Sequence, residues 1–294
     1  IYKTNLITKL INLAGIKFAT IDPAGIGIEM EAGRPGWYDA LNGLPGLFGS
    51  SVAETCELFR LFDLLIEIME ENPEIEIRIP KEVYKLIEKE VEETEKYFKL
   101  DSPDKDHKFW EIMSDLRENY REETKLGFEG TEIKEKCRKL SKKFIILKEK
   151  LARKLKDTME ENRGFMPTYY YYDPEEYEVV TKDNTNFVKI NKFRRNKMPL
   201  FLEGIVKSFR IYKDKEILRE IYKKVKESEL FDKKLKMYKL NVSLKDQPIE
   251  IGRAKVFTPG WLENESIWIH MEYKYMLELL KRELYEEFYS DFRN

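Results

Sequence analysis

The sequence is poor in the residues that form disulfides and metal centres, and it has no long apolar run. Only 2 of its 294 residues are cysteines and only 2 are histidines. Cys56 and Cys137 lie far apart and belong to no Cys-x-x-Cys or Cys-His pattern, so we expect two buried thiols of a cytoplasmic protein and no metal site. No stretch of about 18 apolar residues occurs, so no membrane-spanning helix is predicted.

The sequence also lacks an excess of charge of either sign. Its 53 basic and 55 acidic residues leave a formal net charge of −2, although 37% of the residues are charged. A balanced charge exerts no general attraction on nucleic acid or on an anionic membrane. We therefore expect neither as a partner, and any bound anion must be held by a local site.

Glycine is scarce outside the first 49 residues, because more than half of the 14 glycines lie in that stretch. Clustered glycines predict a loop with unusual backbone angles. The loop ends at Ser51, which has the spacing of a capping box with Glu54, and apolar residues then recur every three or four positions. This pattern predicts a helix over about 52–71.

Helical periodicity dominates the rest of the chain. Charge-rich amphipathic segments fill about 73–165, with Pro80 at one helix start and turns at 101–104 and 127–130. Acidic and basic residues are interleaved there, which favours a solvated outer face over a nucleic-acid surface. Further helices are predicted at about 200–212, 215–228 and 267–288. The predicted fold class is therefore mainly α.

Four consecutive tyrosines, 169–172, interrupt the helical pattern. Together with the β-prone residues that follow, they predict a loop or a short hairpin. Such rings either stack on the apolar faces of sugars or alternate between the core and the surface of a strand. The sequence leaves both interpretations open.

A single carboxylate, Asp39, follows Trp37 and Tyr38 in the glycine-rich loop. An aromatic and poorly hydrated setting would keep its carboxyl group protonated near neutral pH, as a general acid requires. The alternative is that Asp39 caps a helix beginning at Ala40. Local chemistry does not decide between the two.

A second turn-rich loop spans about 251–261 and leads to His270. This histidine lies among Trp268, Ile269 and Met271, which is typical of a core histidine, and a ligand-binding role is the alternative. Loops held by a rigid scaffold often carry binding and catalytic groups, so both loops are candidate sites.

The two loops carry a resemblance to a known family. The segment GRPGWYDALNG at 33–43 resembles the G-D-W-N-D-G-M-N segment of the inverting disaccharide and β-glucan phosphorylases of glycoside hydrolase family 94 and related families. The second aspartate of that segment is the general acid, and it matches Asp39. The segment PGWLENESIWIH at 259–270 resembles the P-G-x-x-E-N-G-G-x-x-x-H motif of the same enzymes, whose histidine contacts phosphate and matches His270.

The resemblance covers about 22–65 and 199–294, and it is weak over the charged segment between them. It implies an (α/α)6-type barrel with long active-site loops. Residues 1–294 would form part of one helical-barrel catalytic domain, with a charged helical insert at about 73–165.

The implied reaction is reversible phosphorolysis of a β-glucosidic bond in a disaccharide or β-glucan oligosaccharide, with inversion to α-glucose 1-phosphate. Inorganic phosphate would be the co-substrate, with no other cofactor, and a homodimer is expected. Asp39 would be the general acid, while His270 and Arg253 would bind phosphate. The substrate-binding residues expected on the same basis are Trp37, Tyr38, Asn42, Glu263 and Asn264.

Departures from the family pattern leave alternatives. Tyr38 stands where the family has Asn, and Ala40 replaces a Gly, so the family's sugar preference does not transfer. The family's donor-site Arg/Asp pair and its Thr-Gly phosphate turn have no counterpart in residues 1–294, so we expect an incomplete barrel. The alternatives are an inverting hydrolase with Glu29 or Glu31 as base, and a non-catalytic carbohydrate-binding fragment.

Overall fold

A computed structural model describes residues 2–33, 36, 38–182 and 184–293 of the chain. Nine α-helices lie in these residues: α1 Leu6–Phe18, α2 Val52–Glu71, α3 Lys81–Lys99, α4 Lys105–Thr124, α5 Cys137–Glu161, α6 Leu202–Ile211, α7 Lys215–Glu227, α8 Ile269–Lys281 and α9 Tyr285–Phe292. The same residues form eight strands: β1 Ile28–Glu29, β2 Ser50–Ser51, β3 Glu76–Pro80, β4 Glu132–Lys136, β5 Tyr169–Lys182, β6 Thr185–Lys197, β7 Phe231–Asp232 and β8 Met237–Tyr238.

The prediction of a mainly α, (α/α)6-type barrel is wrong. The structure is 54% helical, but it also contains a four-stranded antiparallel sheet of order β1-β2-β5-β6 and two two-stranded sheets, so the fold is mixed α/β. The hairpin expected after the tyrosines is present as β5 and β6. The β3 and β4 strands were not predicted because they lie in charged sequence, where the alternation of apolar and polar residues is short. In β3, for example, buried Ile77 and Ile79 alternate with exposed Glu76 and Arg78.

The residues form two compact units. The first unit consists of Ile1–Ile28 and Glu57–Lys156, and the second consists of Glu29–Cys56 and Asp157–Asn294. Most of the charged segment predicted as an insert therefore belongs to the first unit. That unit also takes in the chain start and most of α2.

The first unit packs α1, α3, α4 and parts of α2 and α5 around one apolar core. Phe62 lies at its centre, with its ring centroid 6.1 Å from that of Phe18 and 5.5 Å from that of Phe144. The predicted helix start at Pro80 and the turn at 101–104 between α3 and α4 are confirmed. The segment 127–130, predicted as a turn between helices, is irregular and joins α4 to β4. The β3–β4 pair, with Glu76 opposite Lys136 and Pro80 opposite Glu132, was not predicted.

The second unit is built on the long antiparallel hairpin of β5 and β6. Its first residues pair with β2, with Tyr170 opposite Ser50 and Tyr169 opposite Ser51. Tyr169, Tyr170 and Tyr172 are buried, which favours the interpretation of the tyrosine run as strand residues that face the core. No sugar ring can stack on these three side chains.

Local signals located several helices well. Helix α2 covers the predicted range, and the Glu54 N–H donates to Ser51 Oγ at 3.2 Å, as the capping box requires. The predicted helix at 267–288 is instead two helices. Helix α8 ends at Lys281, and Glu283 adopts φ 58° before α9 begins at Tyr285.

Candidate functional site

The two motif loops lie against each other in the second unit, and two glycines form the contact. The Gly43 N–H donates to the Ile251 carbonyl at 3.1 Å. A Cβ on Gly43 would overlap the Glu250 carbonyl oxygen, and a Cβ on Gly252 would lie 2.6 Å from Asn42 Oδ1. Gly252 also has φ 119°, a conformation that only glycine adopts readily. Glycine is therefore required on both sides of the contact.

A side chain joins the loops at the same place. Asn42, predicted to bind substrate, is exposed, and its Oδ1 accepts the Arg253 backbone N–H at 3.2 Å. These two residues are 211 positions apart in the chain. Asn42 thus holds the loops together in this structure, and its predicted contact with substrate stays a prediction.

Asp39 begins a short 3-10 helix, Asp39–Leu41, and its side chain is exposed. The enclosed and poorly hydrated setting expected for this carboxylate is absent. The helix starts one residue earlier than the capping hypothesis requires, so Asp39 lies within its first turn. Asp39 is therefore accessible to a ligand.

Glu263 is a buried carboxylate on which the charge of Asp39 acts. It is 9% exposed, and the Ala40 backbone N–H donates to its carboxylate. Burial raises the pKa of Glu263, and the negative charge of Asp39 raises it further. The Ala40 N–H and the positive charge of Arg253 oppose this shift without reversing it. Asp39 and Glu263 thus form an electrostatically coupled pair of one exposed and one buried carboxylate.

Arg253 is the cation of the group. It is exposed at the start of a second 3-10 helix, Arg253–Val256, and its charge acts on Glu263. No carboxylate of the described residues forms an ion pair with its guanidinium. An exposed guanidinium that is not ion-paired is able to bind a small anion.

Tyr38 supports the loop from inside. Its ring is buried, with its centroid 5.2 Å from that of Phe201 and 6.3 Å from that of Tyr169. Its hydroxyl donates to Asn241 Oδ1 at 3.2 Å. The buried ring anchors the backbone next to Asp39. Its predicted contact with substrate stays a prediction.

Asn264 is also buried in the second loop. Its Nδ2 donates to the Phe257 carbonyl at 2.8 Å, and its backbone carbonyl accepts the Gly260 N–H at 2.8 Å. Its Oδ1 is buried, and no described residue gives it a hydrogen bond. Asn264 therefore closes the turn that presents Glu263.

His270 and Trp37 are the two predicted site residues that remain. His270 is exposed in the first turn of α8, and its ring centroid is 5.4 Å from that of Trp268. Partial burial lowers its pKa and the Lys274 ammonium adds to this, so His270 carries less positive charge near neutral pH than a free histidine. Its phosphate contact stays a prediction. Trp37, predicted to contact the donor sugar, lies outside the described residues.

Glu29 and Glu31, the bases of the hydrolase hypothesis, are half-buried at β1 and directly after it. The negative charge of Asp39 acts on Glu263. Glu263 is therefore the carboxylate that this structure offers as the base of a hydrolase.

Sequence reasoning missed two features that support the site. Asn241 is fully buried, and its Oδ1 accepts both the Tyr38 hydroxyl and the Glu265 backbone N–H at 3.2 Å. In the sequence Asn241 is an ordinary polar residue in a turn-rich stretch, so no signal marks it. The contact of Gly43 with the second loop was also missed, because clustered glycines indicate tight turns without saying what approaches them.

No family model matches this chain, and no curated protein matches it. The link to the glycoside phosphorylases therefore rests on the two motifs. Within residues 2–33, 36, 38–182 and 184–293, no group of three or more His, Cys, Asp or Glu side chains is placed to hold a metal ion. Over the same residues, each helix is too short or too polar to cross a bilayer.

Proposed function

We propose that the docked loops of the second unit are the catalytic site of an inverting glycoside phosphorylase. The substrate is a β-linked glucose disaccharide or oligosaccharide, and the co-substrate is inorganic phosphate. Asp39 is the general acid, Arg253 binds the phosphate with His270 as a second contact, and Glu263 is the buried carboxylate on which the Asp39 charge acts. The protein acts in the cytoplasm, as a homodimer and without a further cofactor.

The reaction needs one proton and one nucleophile. A phosphate oxygen attacks the anomeric carbon from the face opposite the bond that breaks. The bond from that carbon to the leaving oxygen breaks, and Asp39 gives its proton to that oxygen. The products are an α-sugar 1-phosphate and a sugar shortened by one unit. Phosphate is already an anionic nucleophile, so no second carboxylate is needed to activate it.

One observation carries the proposal. Two segments that resemble the same family's motifs are far apart in sequence, and their loops meet at Gly43, Ile251 and Arg253. This contact sets an exposed carboxylate beside an exposed guanidinium, which are the proton donor and the anion-binding group that phosphorolysis requires. The balanced charge of the chain is consistent with a neutral sugar substrate and a local phosphate site.

An inverting hydrolase is the second candidate function, and the Asp39–Glu263 pair favours it specifically. Inverting hydrolysis uses one carboxylic acid to protonate the leaving oxygen and a second carboxylate to activate water. Glu263 provides that second carboxylate through its position near Asp39. Phosphorolysis requires inorganic phosphate and hydrolysis does not. Product formation with and without phosphate therefore distinguishes the two functions.

The test measures products from β-1,4- and β-1,3-linked glucose oligosaccharides with and without inorganic phosphate. We expect ³¹P NMR to show α-glucose 1-phosphate that forms only when phosphate is present. Release of reducing sugar without phosphate would establish the hydrolase instead. Binding of the oligosaccharide with no turnover under either condition would make the chain a carbohydrate-binding fragment.

The phosphate contact has its own control. Arg253→Ala should raise the KM for phosphate by about tenfold or more, because it removes a charge-assisted contact to the anion. Lys233→Ala removes an exposed cation from the same unit and should leave that KM unchanged. If the two substitutions changed the KM for phosphate equally, Arg253 would not be the phosphate-binding residue.

A further inference from the structure

Trp261 is a large aromatic side chain left in solvent by the second motif loop. It is 58% exposed, although tryptophan is among the residues that proteins bury most fully on average. Its ring meets the edge of Phe257, with centroids 5.4 Å apart. Leu262 and Val256 of the same loop are exposed as well. The loop thus presents an apolar surface around one indole ring.

The backbone under Trp261 is held in one conformation. The Trp261 N–H donates to the Thr258 carbonyl at 2.9 Å, and the Gly260 N–H donates to the Asn264 carbonyl at 2.8 Å. The Leu262 carbonyl accepts the Trp268 Nε1–H at 3.0 Å. The loop therefore presents Trp261 before any ligand arrives, which lowers the entropy lost on binding.

This conformation carries strain. Leu262 and Glu265 adopt φ 47° and φ 54°, the left-handed region that side chains with a Cβ rarely occupy. Strained residues of this kind persist where the surrounding contacts over-determine them, and they concentrate at functional sites. Exposed apolar side chains on a strained and rigid turn indicate that the turn presents them to a ligand.

Trp261 lies on the same turn as Glu263. Trp261 is two residues from Glu263, so their Cα atoms are within about 7 Å. Thr258 of the same loop is exposed, so a hydroxyl group lies on the loop that carries the ring. A pyranose ring has an apolar C–H face, and an exposed indole plane matches that face.

We propose that Trp261 is a stacking platform for a sugar unit bound at the second motif loop, beside the turn that carries Glu263. The site then selects β-linked glucose oligosaccharides over disaccharides, because each longer chain gains a contact with the indole ring. The proposal rests on the proposed function for the identity of the sugar. It differs from the tyrosine hypothesis, since Tyr169, Tyr170 and Tyr172 are buried and Trp261 is not.

The test measures binding by isothermal titration calorimetry without phosphate, using the two-, three- and four-unit members of the β-1,4- and β-1,3-glucose series. The whole chain is used, both as wild type and with Asp39→Asn, so that neither proposed reaction consumes the sugar. We expect the Kd to fall with chain length. Trp261→Ala should raise the Kd for the longest sugar by about tenfold and abolish the length dependence, as expected for truncating an aromatic anchor.

Two further variants separate stacking from structure. Trp261→Phe keeps a ring and should restore most of the affinity. Tyr273→Ala removes a ring that is 64% exposed on α8 of the same unit and should leave every Kd unchanged. The proposal would be wrong if the Kd of Trp261→Ala depended on chain length as it does in the wild type. It would also be wrong if the wild type bound none of the sugars.

The outcomes keep the two proposals apart. Length-dependent binding through Trp261 with no turnover would retain the platform and reject the phosphorylase. Phosphate-dependent turnover with the same Kd in wild type and Trp261→Ala would reject the platform and retain the phosphorylase.

Discussion

Both units bury carboxylates, and one from each, Glu90 and Glu263, have different surroundings. Glu90 of α3, in the first unit, is fully buried, and neither of its oxygens has a hydrogen-bond partner among the described residues. Glu263 of the second unit accepts the Ala40 N–H and is acted on by the charges of Asp39 and Arg253. Burial raises the pKa of both side chains.

One cation from each unit, Lys150 and Arg253, also differ in their surroundings. Lys150 of α5 is fully buried, its Nζ has no hydrogen-bond partner in the described residues, and it lies 4.4 Å from the centroid of the Phe109 ring. Arg253 is exposed beside two carboxylates. Isolated buried groups reduce stability, whereas groups gathered by two docked loops can act together on a ligand. The comparison therefore contrasts isolated buried charges in the first unit with charged groups that two loops bring together in the second.

The largest expected effect is on catalysis in the second unit. Asp39→Asn keeps the shape of the side chain and removes its proton donor, so kcat for sugar phosphate release should fall at least about a hundredfold. Steady-state kinetics with saturating phosphate measure this. Asp246→Asn, an exposed change in the same unit, should leave kcat unaltered. Similar kcat values for Asp39→Asn and wild type would remove Asp39 from catalysis.

The second prediction breaks the contact between the loops. Gly43→Ala places a methyl group against the Glu250 carbonyl, so the free energy of unfolding should fall by about 3 kcal/mol. Gly46→Ala is the matched control, because nothing lies within 4 Å of the Cβ it would add. Urea unfolding of the two variants measures the difference. Equal stability would mean that the loops do not dock through Gly43.

The third prediction concerns pH and the first unit. Burial lowers the pKa of Lys150 to about 7 from its ordinary 10.5. The folded state then binds fewer protons than the unfolded state between these values, so stability should rise from about pH 7 to pH 10 by up to about 1.4 kcal/mol per unit. The other charged groups that act on Lys150 are Asp106, Lys154, Asp22 and Lys105.

Lys150→Met should abolish that slope. Urea unfolding at pH 7, 8 and 9, followed in wild type and variant, measures it. A wild-type stability that is flat across this range would show that Lys150 is charged in the folded state. Lys156→Met changes an exposed lysine of the same helix and should retain the wild-type slope.

The smallest expected effect is at Glu90. Its raised pKa means that the folded state holds a proton that the unfolded state loses above about pH 4.5, so its contribution to stability falls as pH rises. Glu90→Leu should therefore stabilise the protein by about 1 kcal/mol, more at pH 8 than at pH 5. Glu95→Leu, on the exposed face of α3, should change stability little. Destabilisation by Glu90→Leu at pH 8 would indicate a polar partner for Glu90.

The sequence predicted what local chemistry controls. The Ser51 cap and the apolar spacing after it located α2, and the charge-rich periodicity located α3, α4 and α5. Strands depend on partners elsewhere in the chain, so the pairing of β3 with β4 and the length of the β5–β6 hairpin were not predictable from local pattern. A fold class inferred from helical pattern alone was therefore wrong.

The candidate site, like the fold, could be predicted only in part from local sequence. The motifs identified Asp39, Arg253 and Glu263 as residues of interest, but the setting of Asp39 was not predictable from its neighbours. Tyr38 turns into the core and Asp39 turns out, because a buried Asn241 and the glycine contact at Gly252 fix the loop from the other side. Burial and charge at this site depend on residues that sequence places far away.

The most direct test of the central claim, that the two loops form one site, is the titration of Glu263 by ¹³C NMR in wild type and in Asp39→Asn. Because the Asp39 charge contributes to the raised pKa of Glu263, we expect that pKa to lie above the ordinary value of 4.5 in wild type and to fall in the variant. Asp246→Asn should leave it unchanged. A Glu263 pKa that is identical in wild type and Asp39→Asn would contradict the account.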